Sequence, residues 1–491
     1  MRDFHHPGRS PVYACEGMAA TSHPLASAAA IDTLKAGGSA ADAAVTAAAT
    51  LAVVEPHMTG IGGDCFCLVA RPGMPVWGYN GSGRAAAAAD AATLWNAGMR
   101  VIDPRSPHSV TVPGAVEAWS AVLAGHGRFG LDRALAPAIR YAEDGFPVAP
   151  RIAHDWSLAE STLSGDPGAS RHYLVDGKAP SAGDVMRFPA LAATLKAIAA
   201  RGPKAFYEEA AADIVASLAP RGSPLTRDDF AAHRGDVVTP ISTDYRGLDV
   251  VELPPNGQGL VALVMLNILE NFDLARLAAD GAERLHIALE AARLAYAVRD
   301  THVADEAFMR VAVPPLIDKD FARALAARID PGKRVKLPPA PTPGSDTVYL
   351  TVVDRDRMAV SFINSLYGEF GSGIATENTG IMLHNRGACF VVDPAHPNAI
   401  GPSKRPMHTI IPALGMRDGR CELAFGVMGG GFQPMGHAHV VTNLVDSGMD
   451  LQAAIDAPRV FYEGEITVVE RGVSAAAIAG LTARGHRVTV R

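Results

Sequence analysis

Cysteine is scarce in this chain. The five residues Cys15, Cys65, Cys67, Cys389 and Cys421 form an odd, widely spaced set that does not read as a disulfide framework, so reduced thiols are expected. Basic runs are missing as well. With a formal net charge of -7 and no cluster of Lys or Arg, the chain offers nucleic acid no electrostatic footprint. Its longest apolar stretch, residues 40–54, is Ala-rich, contains Asp42 and falls short of the ~20 residues a membrane helix needs. It reads as a buried helix. The N-terminal Met1-Arg-Asp-Phe-His-His-Pro7 shows no basic segment followed by an apolar core, which points to a cytoplasmic location.

Several chemical signatures are also absent. Gly60-Ile-Gly-Gly63 is not followed by Gly-Lys-Ser/Thr and stands between a helix and a strand, the reverse of the strand-to-helix order of a nucleotide loop. His5-His6 and His437-Ala-His439 lack the further donors of a metal site, and no His-Glu-x-x-His or Cys-x-x-Cys accompanies them. No metal or organic cofactor is therefore expected. The Gly-x-Ser-x-Gly elbow of α/β serine hydrolases is missing too, so a hydrolase built from this chain must carry its nucleophile elsewhere.

What is present is ordinary globular material. The 491 residues are 48% hydrophobic and 19% charged, enough for a large core in one to three domains. Helix formers from Pro24 to Val54, broken at Gly37-Gly38, predict two helices that feed the loop Glu55–Asp64. Cys65–Ala70 then reads as a buried strand. From about Gly114 to Ala327 the pattern is mostly helical, with Leu285, Leu289, Ala292 and Tyr296 at helical spacing, and reads as scaffold. The Pro-rich stretch Leu337–Asp346 can be neither helix nor central strand and predicts an exposed connection. Immediately after it, Thr347–Val353, the turn Asp354–Arg357 and Met358–Ile363 predict a hairpin that opens on Thr347.

A threonine hydroxyl is a poor nucleophile unless a base lies beside it, and a free α-amino group on the same residue supplies one. An internal Thr acquires that amine only when the bond before it is cut. Thr347, at the end of an open connection and the start of a strand, suits this chemistry. The segment Asp346-Thr-Val-Tyr-Leu-Thr-Val-Val-Asp354 resembles the self-cleavage segment of the γ-glutamyltransferase family. The resemblance continues in order through Val54-Glu-Pro-His57, Gly62-Gly63, Val112-Pro-Gly114, Leu253-Pro-Pro255, Phe370-Gly-Ser-Gly373, Gly380–Leu383 with Asn385, Gly401–Pro406, Gly429-Gly430 and Asp456–Arg459.

The resemblance implies an α/β fold, a four-layer αββα sandwich shared by segment 1–346 and segment 347–491, which cleavage between Asp346 and Thr347 would leave as two associated pieces. It implies Thr347 as nucleophile, Ser365 as the hydroxyl that hydrogen-bonds it, and the backbone N–H groups of Gly429 and Gly430 as the oxyanion hole. The partners implied are a small-molecule amide substrate and the chain's own second fragment, with a dimer of such heterodimers left open.

The family's clamp for a γ-glutamyl group is altered. Its Arg aligns with Ser82, its Asn with Tyr367, its Asp with Cys389 or Ala388, and its Ser pair with His408-Thr409. A serine cannot replace a guanidinium as partner of a carboxylate. Arg84 or Arg386 is expected to supply the cation, with Tyr367, Asn385, His408 and Thr409 completing the substrate site. This set resembles family members that cleave other amides, such as cephalosporin acylases and oxamate amidohydrolase. Two other readings stay open, a γ-glutamyl hydrolase or transferase acting on glutathione and an uncleaved binding protein of the same fold. Relatives usually continue past Gly485–Val488, so the resemblance also implies an unpaired sheet edge near Arg491.

Overall fold

The computed structural model describes residues 8–336 and 347–491. His5, His6 and the stretch 337–346, with Asp346, lie outside the described residues. The strands in chain order are β1 (Gly17–Ala20), β2 (Asp64–Ala70), β3 (Trp77–Gly81), β4 (Phe146–Pro147), β5 (Val185–Met186), β6 (Asp236–Val238), β7 (Ile241–Tyr245) and β8 (Leu248–Glu252). After residue 347 come β9 (Val348–Asp354), β10 (Ala359–Ser365), β11 (Ala413–Arg417), β12 (Arg420–Phe425), β13 (Val460–Glu463), β14 (Ile466–Val469) and β15 (Arg487–Val490).

Two sheets face one another. The larger has the order β1-β9-β10-β2-β3-β6, and the smaller has β12-β11-β8-β7. Between them lies an apolar layer that includes Phe66, Leu68, Val251, Leu253, Ile363 and Leu414. Outside the larger sheet, the helices Pro24–Lys35 and Ala40–Val54 join a second core. Outside the smaller sheet, Gly259–Leu269, Ala282–His302 and Gln433–Val445 make a third. Three separate apolar layers between four slabs of secondary structure are what a helix–sheet–sheet–helix sandwich requires. A three-stranded sheet, β13-β14-β15, stands beside this body with β15 at its edge.

Helix Ala40–Val54 is buried along its whole length, and its first turn is closed by Ser39 and Asp42 in a reciprocal capping box. No described helix is long and apolar enough to cross a membrane. The segment 114–327, read as helical scaffold, also contributes β6, β7 and β8 to the two sheets. These strands have only 3, 5 and 5 residues, too short for alternation to stand out against the helices around them.

Strand periodicity places the candidate nucleophile. In β9 the residues Val348, Leu350 and Val352 enter the helix-side core, while Tyr349 and Val353 face the layer between the sheets. A period of two therefore puts Thr347, one residue before Val348, on the inter-sheet side. In β10, Ile363 faces the same layer, and Ser365 two residues on shares its face.

Candidate active site

Asn364 pairs with Val348 in the antiparallel ladder, so Ser365 stands opposite Thr347 where the hairpin opens. Their hydroxyls are 3.0 Å apart, and both residues are fully buried. Ser365 Oγ also accepts the backbone N–H of Tyr367 at 2.8 Å and Arg386 Nη2 at 3.4 Å. The next residue inward is clamped from the helix side: Asn364 Oδ1 accepts Trp119 Nε1 at 3.0 Å, and its amide donates to Thr59 Oγ1 at 2.8 Å. Gly62 and Gly63 are needed here for contact, since a Cβ on Gly63 would sit 2.3 Å from the Ser365 carbonyl oxygen and one on Gly62 2.1 Å from that of Met382. The glycine-rich loop thus packs against the Ser365 end of β10.

Arg386 has no exposed surface and no carboxylate partner among the described residues. Nη1 donates to Thr409 Oγ1 at 2.7 Å, the guanidinium stacks 4.3 Å from the Tyr367 ring centre, and Nε has no hydrogen-bond partner among the described residues. Burying such a charge without a counter-ion is costly unless a ligand completes it. Tyr367 adopts a left-handed backbone (φ 77°), and its phenol is raised in pKa by the neighbouring Cys389 and by burial. Asn385 Oδ1 accepts Gly368 N–H at 2.9 Å and so holds the turn that carries Tyr367.

Opposite, β12 ends at Phe425 and the chain passes through Gly429 (φ 122°) and Gly430 (φ 52°) into the helix Gln433–Val445. Only glycine adopts the first of these conformations without strain. The Gly429 and Gly430 N–H groups donate to no protein acceptor among the described residues, and they stand beside the positive end of that helix. Gln258 ties this turn to the arginine site, its Nε2 donating to Gly430 O at 2.9 Å and to Thr409 O at 2.7 Å. One continuous set of contacts therefore runs from Thr347 through Ser365, Arg386, Thr409 and Gln258 to Gly430.

Two of the sequence-derived candidates have other employment. His408 Nε2 is 3.0 Å from Asp64 Oδ2, and its Nδ1 accepts Ile410 N–H at 3.3 Å, which leaves no ring atom for a substrate. Burial, with Arg386 adding to it, pushes the His408 imidazole down to about 3, so the ring is neutral. Arg84 lies at the partly exposed rim, 3.4 Å from Asp236 and 3.6 Å from Asp305, where its charge is already answered. Ser82, at the position of the family's arginine, bonds Asn80 Oδ1 at 2.6 Å and receives Asn256 Nδ2 at 3.2 Å.

Asp64, Gln258 and His384 were not singled out from sequence. Asp64 is the hub, accepting Gly83 and Gly114 N–H groups at 3.0 and 3.2 Å with His384 and His408 beside it. Burial raises its carboxyl pKa, but the two histidines outweigh this and hold it well below the usual range. A depressed folded pKa stabilises above the unfolded value and loses that contribution as pH falls. Asp64→Asn is expected to cost about 3 kcal/mol near neutrality. Urea midpoints measured at pH 7 and again below pH 4 should show the wild type losing more than the variant.

The described residues hold one buried trio of metal-ligand types, His286, Glu290 and His486. Its donors are already engaged: the two rings meet at 2.7 Å, His286 Nε2 pairs with Asp330 O, and Glu290 takes Arg293 and the Val335 N–H. Burial, His286 and three nearby arginines push His486 down to about 3, an electropositive setting that disfavours a cation.

A αββα sandwich with a buried hydroxyl residue opening an inner strand is the architecture of the N-terminal-nucleophile hydrolases. The chain belongs to the gamma-glutamyltranspeptidase family, whose profile matches residues 26–491. It is 41% identical to the glutathione hydrolase-like YwrD proenzyme of Bacillus subtilis, over 90% of this chain and 84% of that protein. The oxamate amidohydrolase proenzyme of Klebsiella pneumoniae is 39% identical over 96% of this chain and 91% of its own. Among solved structures, the cephalosporin acylase from Bacillus halodurans superposes with a TM-score of 0.93 at 40% identity, covering 100% of this chain and 92% of that one.

Proposed function

We propose that this protein cuts its own chain before Thr347 and then hydrolyses an amide whose acyl part carries a carboxylate. The observation that carries the reading is the buried guanidinium of Arg386, one hydroxyl away from Thr347 and without an anionic partner among the described residues. In self-cleavage, Thr347 Oγ1 attacks the Asp346 carbonyl carbon, and the acyl group passes from the Thr347 nitrogen to its oxygen. Water then hydrolyses the ester and leaves Thr347 with a free amine.

In turnover that amine takes the hydroxyl proton as the oxygen attacks the substrate carbonyl, and the protonated amine then passes a proton to the leaving nitrogen. The N–H groups of Gly429 and Gly430 stabilise the oxyanion, Ser365 orients the nucleophile, and water releases the acid. Arg386, supported by Thr409 and capped by Tyr367, holds the acyl carboxylate. Because only Ser365 separates Arg386 from Thr347, a short acyl chain fits better than a γ-glutamyl group, whose carboxylate lies several carbons from the scissile carbonyl. The name of the oxamate amidohydrolase relative agrees with this preference.

The test is a substrate panel on processed protein. A γ-glutamyl anilide should turn over at least about thirtyfold more slowly than a short amide acid such as oxamate or a short dicarboxylic mono-amide, because losing a charged contact costs about 2–5 kcal/mol. Efficient glutathione hydrolysis would overturn the substrate assignment and restore the γ-glutamyl reading.

A further inference from the structure

Beyond Cys389 lies a pocket of about 140 Å³, walled by Arg299, Val303, Cys389, Val391, Asn398 and Met407. It adjoins the site described above, since Cys389 Sγ is 3.9 Å from Arg386 Nη1 and lies against Tyr367. Its size is close to the roughly 150 Å³ cavity that holds one benzene ring. Arg299 is 4% exposed and rigidly mounted. Nε donates to Asp300 at 2.8 Å, Nη1 to Gln258 Oε1 at 2.9 Å, and the guanidinium stacks 4.9 Å from the Tyr296 ring. Nη2 has no hydrogen-bond partner among the described residues and is left for the pocket. Asp300 faces the pocket too, but its carboxylate is half exposed and committed to Nε, so solvent screens it.

We propose that this pocket is a second subsite, which takes the leaving-amine part of the substrate as a ring-sized group bearing a carboxylate. The inference rests on the amide-hydrolase reading and narrows it: Arg386 holds the acid of the acyl half, and Arg299 that of the amine half. Val303, Val391 and Met407 supply an apolar slot, while the planar fork of Arg299 supplies the anion contact. Gln258 joins this arginine to Gly430 and Thr409, so an occupied pocket is mechanically linked to the oxyanion turn and to the Arg386 partner.

The test uses Cys389 as a built-in reporter and requires no turnover, so a failure of the amidase reading leaves its outcome legible. Alkylation of each cysteine by N-ethylmaleimide is followed by peptide mass spectrometry in the whole protein, with exposed Cys15 as internal control. Benzoate at about ten times its Kd should slow labelling of Cys389 about tenfold and leave Cys15 unchanged. Benzamide, which lacks the charge, should need at least about ten times the concentration. Met407→Trp, which fills the slot, and Arg299→Lys, which removes Nη2, should each abolish or weaken protection, while Arg386→Met should retain it. Equal protection by benzamide, protection that survives both pocket variants, or protection lost only in Arg386→Met would overturn the proposal. So would the absence of protection in the wild type.

Discussion

Purified wild-type protein should run as two bands of roughly 36 and 15 kDa, the division of its 51.2 kDa at residue 347 by chain length, and Thr347→Ala as a single full-length band. The variant removes the Thr347 hydroxyl at the mouth of the β9–β10 hairpin and leaves the ladder that positions it intact. The loss of cleavage should be complete, because among the described residues no other hydroxyl has both a position at the cut and the Ser365 contact at 3.0 Å. N-terminal sequencing of the smaller band should begin Thr-Val-Tyr-Leu. A wild type that stays full-length after prolonged incubation would favour a binding protein that keeps the fold without the chemistry. Cleavage that persists in Thr347→Ala would move the nucleophile.

Arg386→Met should lower kcat/KM for an acidic amide by roughly 30- to 5,000-fold, the equivalent of about 2–5 kcal/mol, while self-cleavage proceeds. The two steps separate because cleavage involves no substrate carboxylate. The same change should hold or raise the urea midpoint, since it replaces a buried charge that lacks a counter-ion among the described residues with an apolar chain of similar length. Activity and stability moving in opposite directions would mark a binding group, whereas a parallel fall in both would mark a structural one. Arg84→Ala is the comparison. Its charge is already met by Asp236 and Asp305, so KM should not change.

Features legible in the sequence were those written locally. The hairpin that opens on Thr347 was legible because β-branched residues, a polar turn and a Pro-rich lead-in occupy one short window. Helix Ala40–Val54 was legible because the Gly37-Gly38 break sets off an uninterrupted Ala-rich run. The Thr347–Ser365 pairing followed from counting along a family motif, and the two residues are indeed opposite each other in the ladder. The Asp64–His408 contact spans 344 positions, and Gln258 reaches carbonyls 151 and 172 positions away. Neither carries a spacing that sequence could expose. His408 and Arg84 were read as substrate groups from their place beside the motif, yet a neighbouring carboxylate had prior claim on each. Such a claim is visible only after the chain is folded.

The order of strands in the two facing sheets bears on what maturation does to folding itself. Strands β9 and β10 lie between β1 and β2, and β11 pairs with β8, so each sheet is woven from both sides of position 347. Cutting there would leave the pieces locked by ladders that neither can complete alone. While the chain is one molecule, those strands find each other at the high local concentration set by the connection; once it is two, the same search depends on dilution. Unfolded mature protein should therefore regain its structure more slowly at low concentration, whereas the Thr347→Ala chain should refold at a rate independent of it. The connection that the reaction severs would then act once as a template, and the finished molecule would persist because its unfolding is slow rather than because its assembly is repeatable.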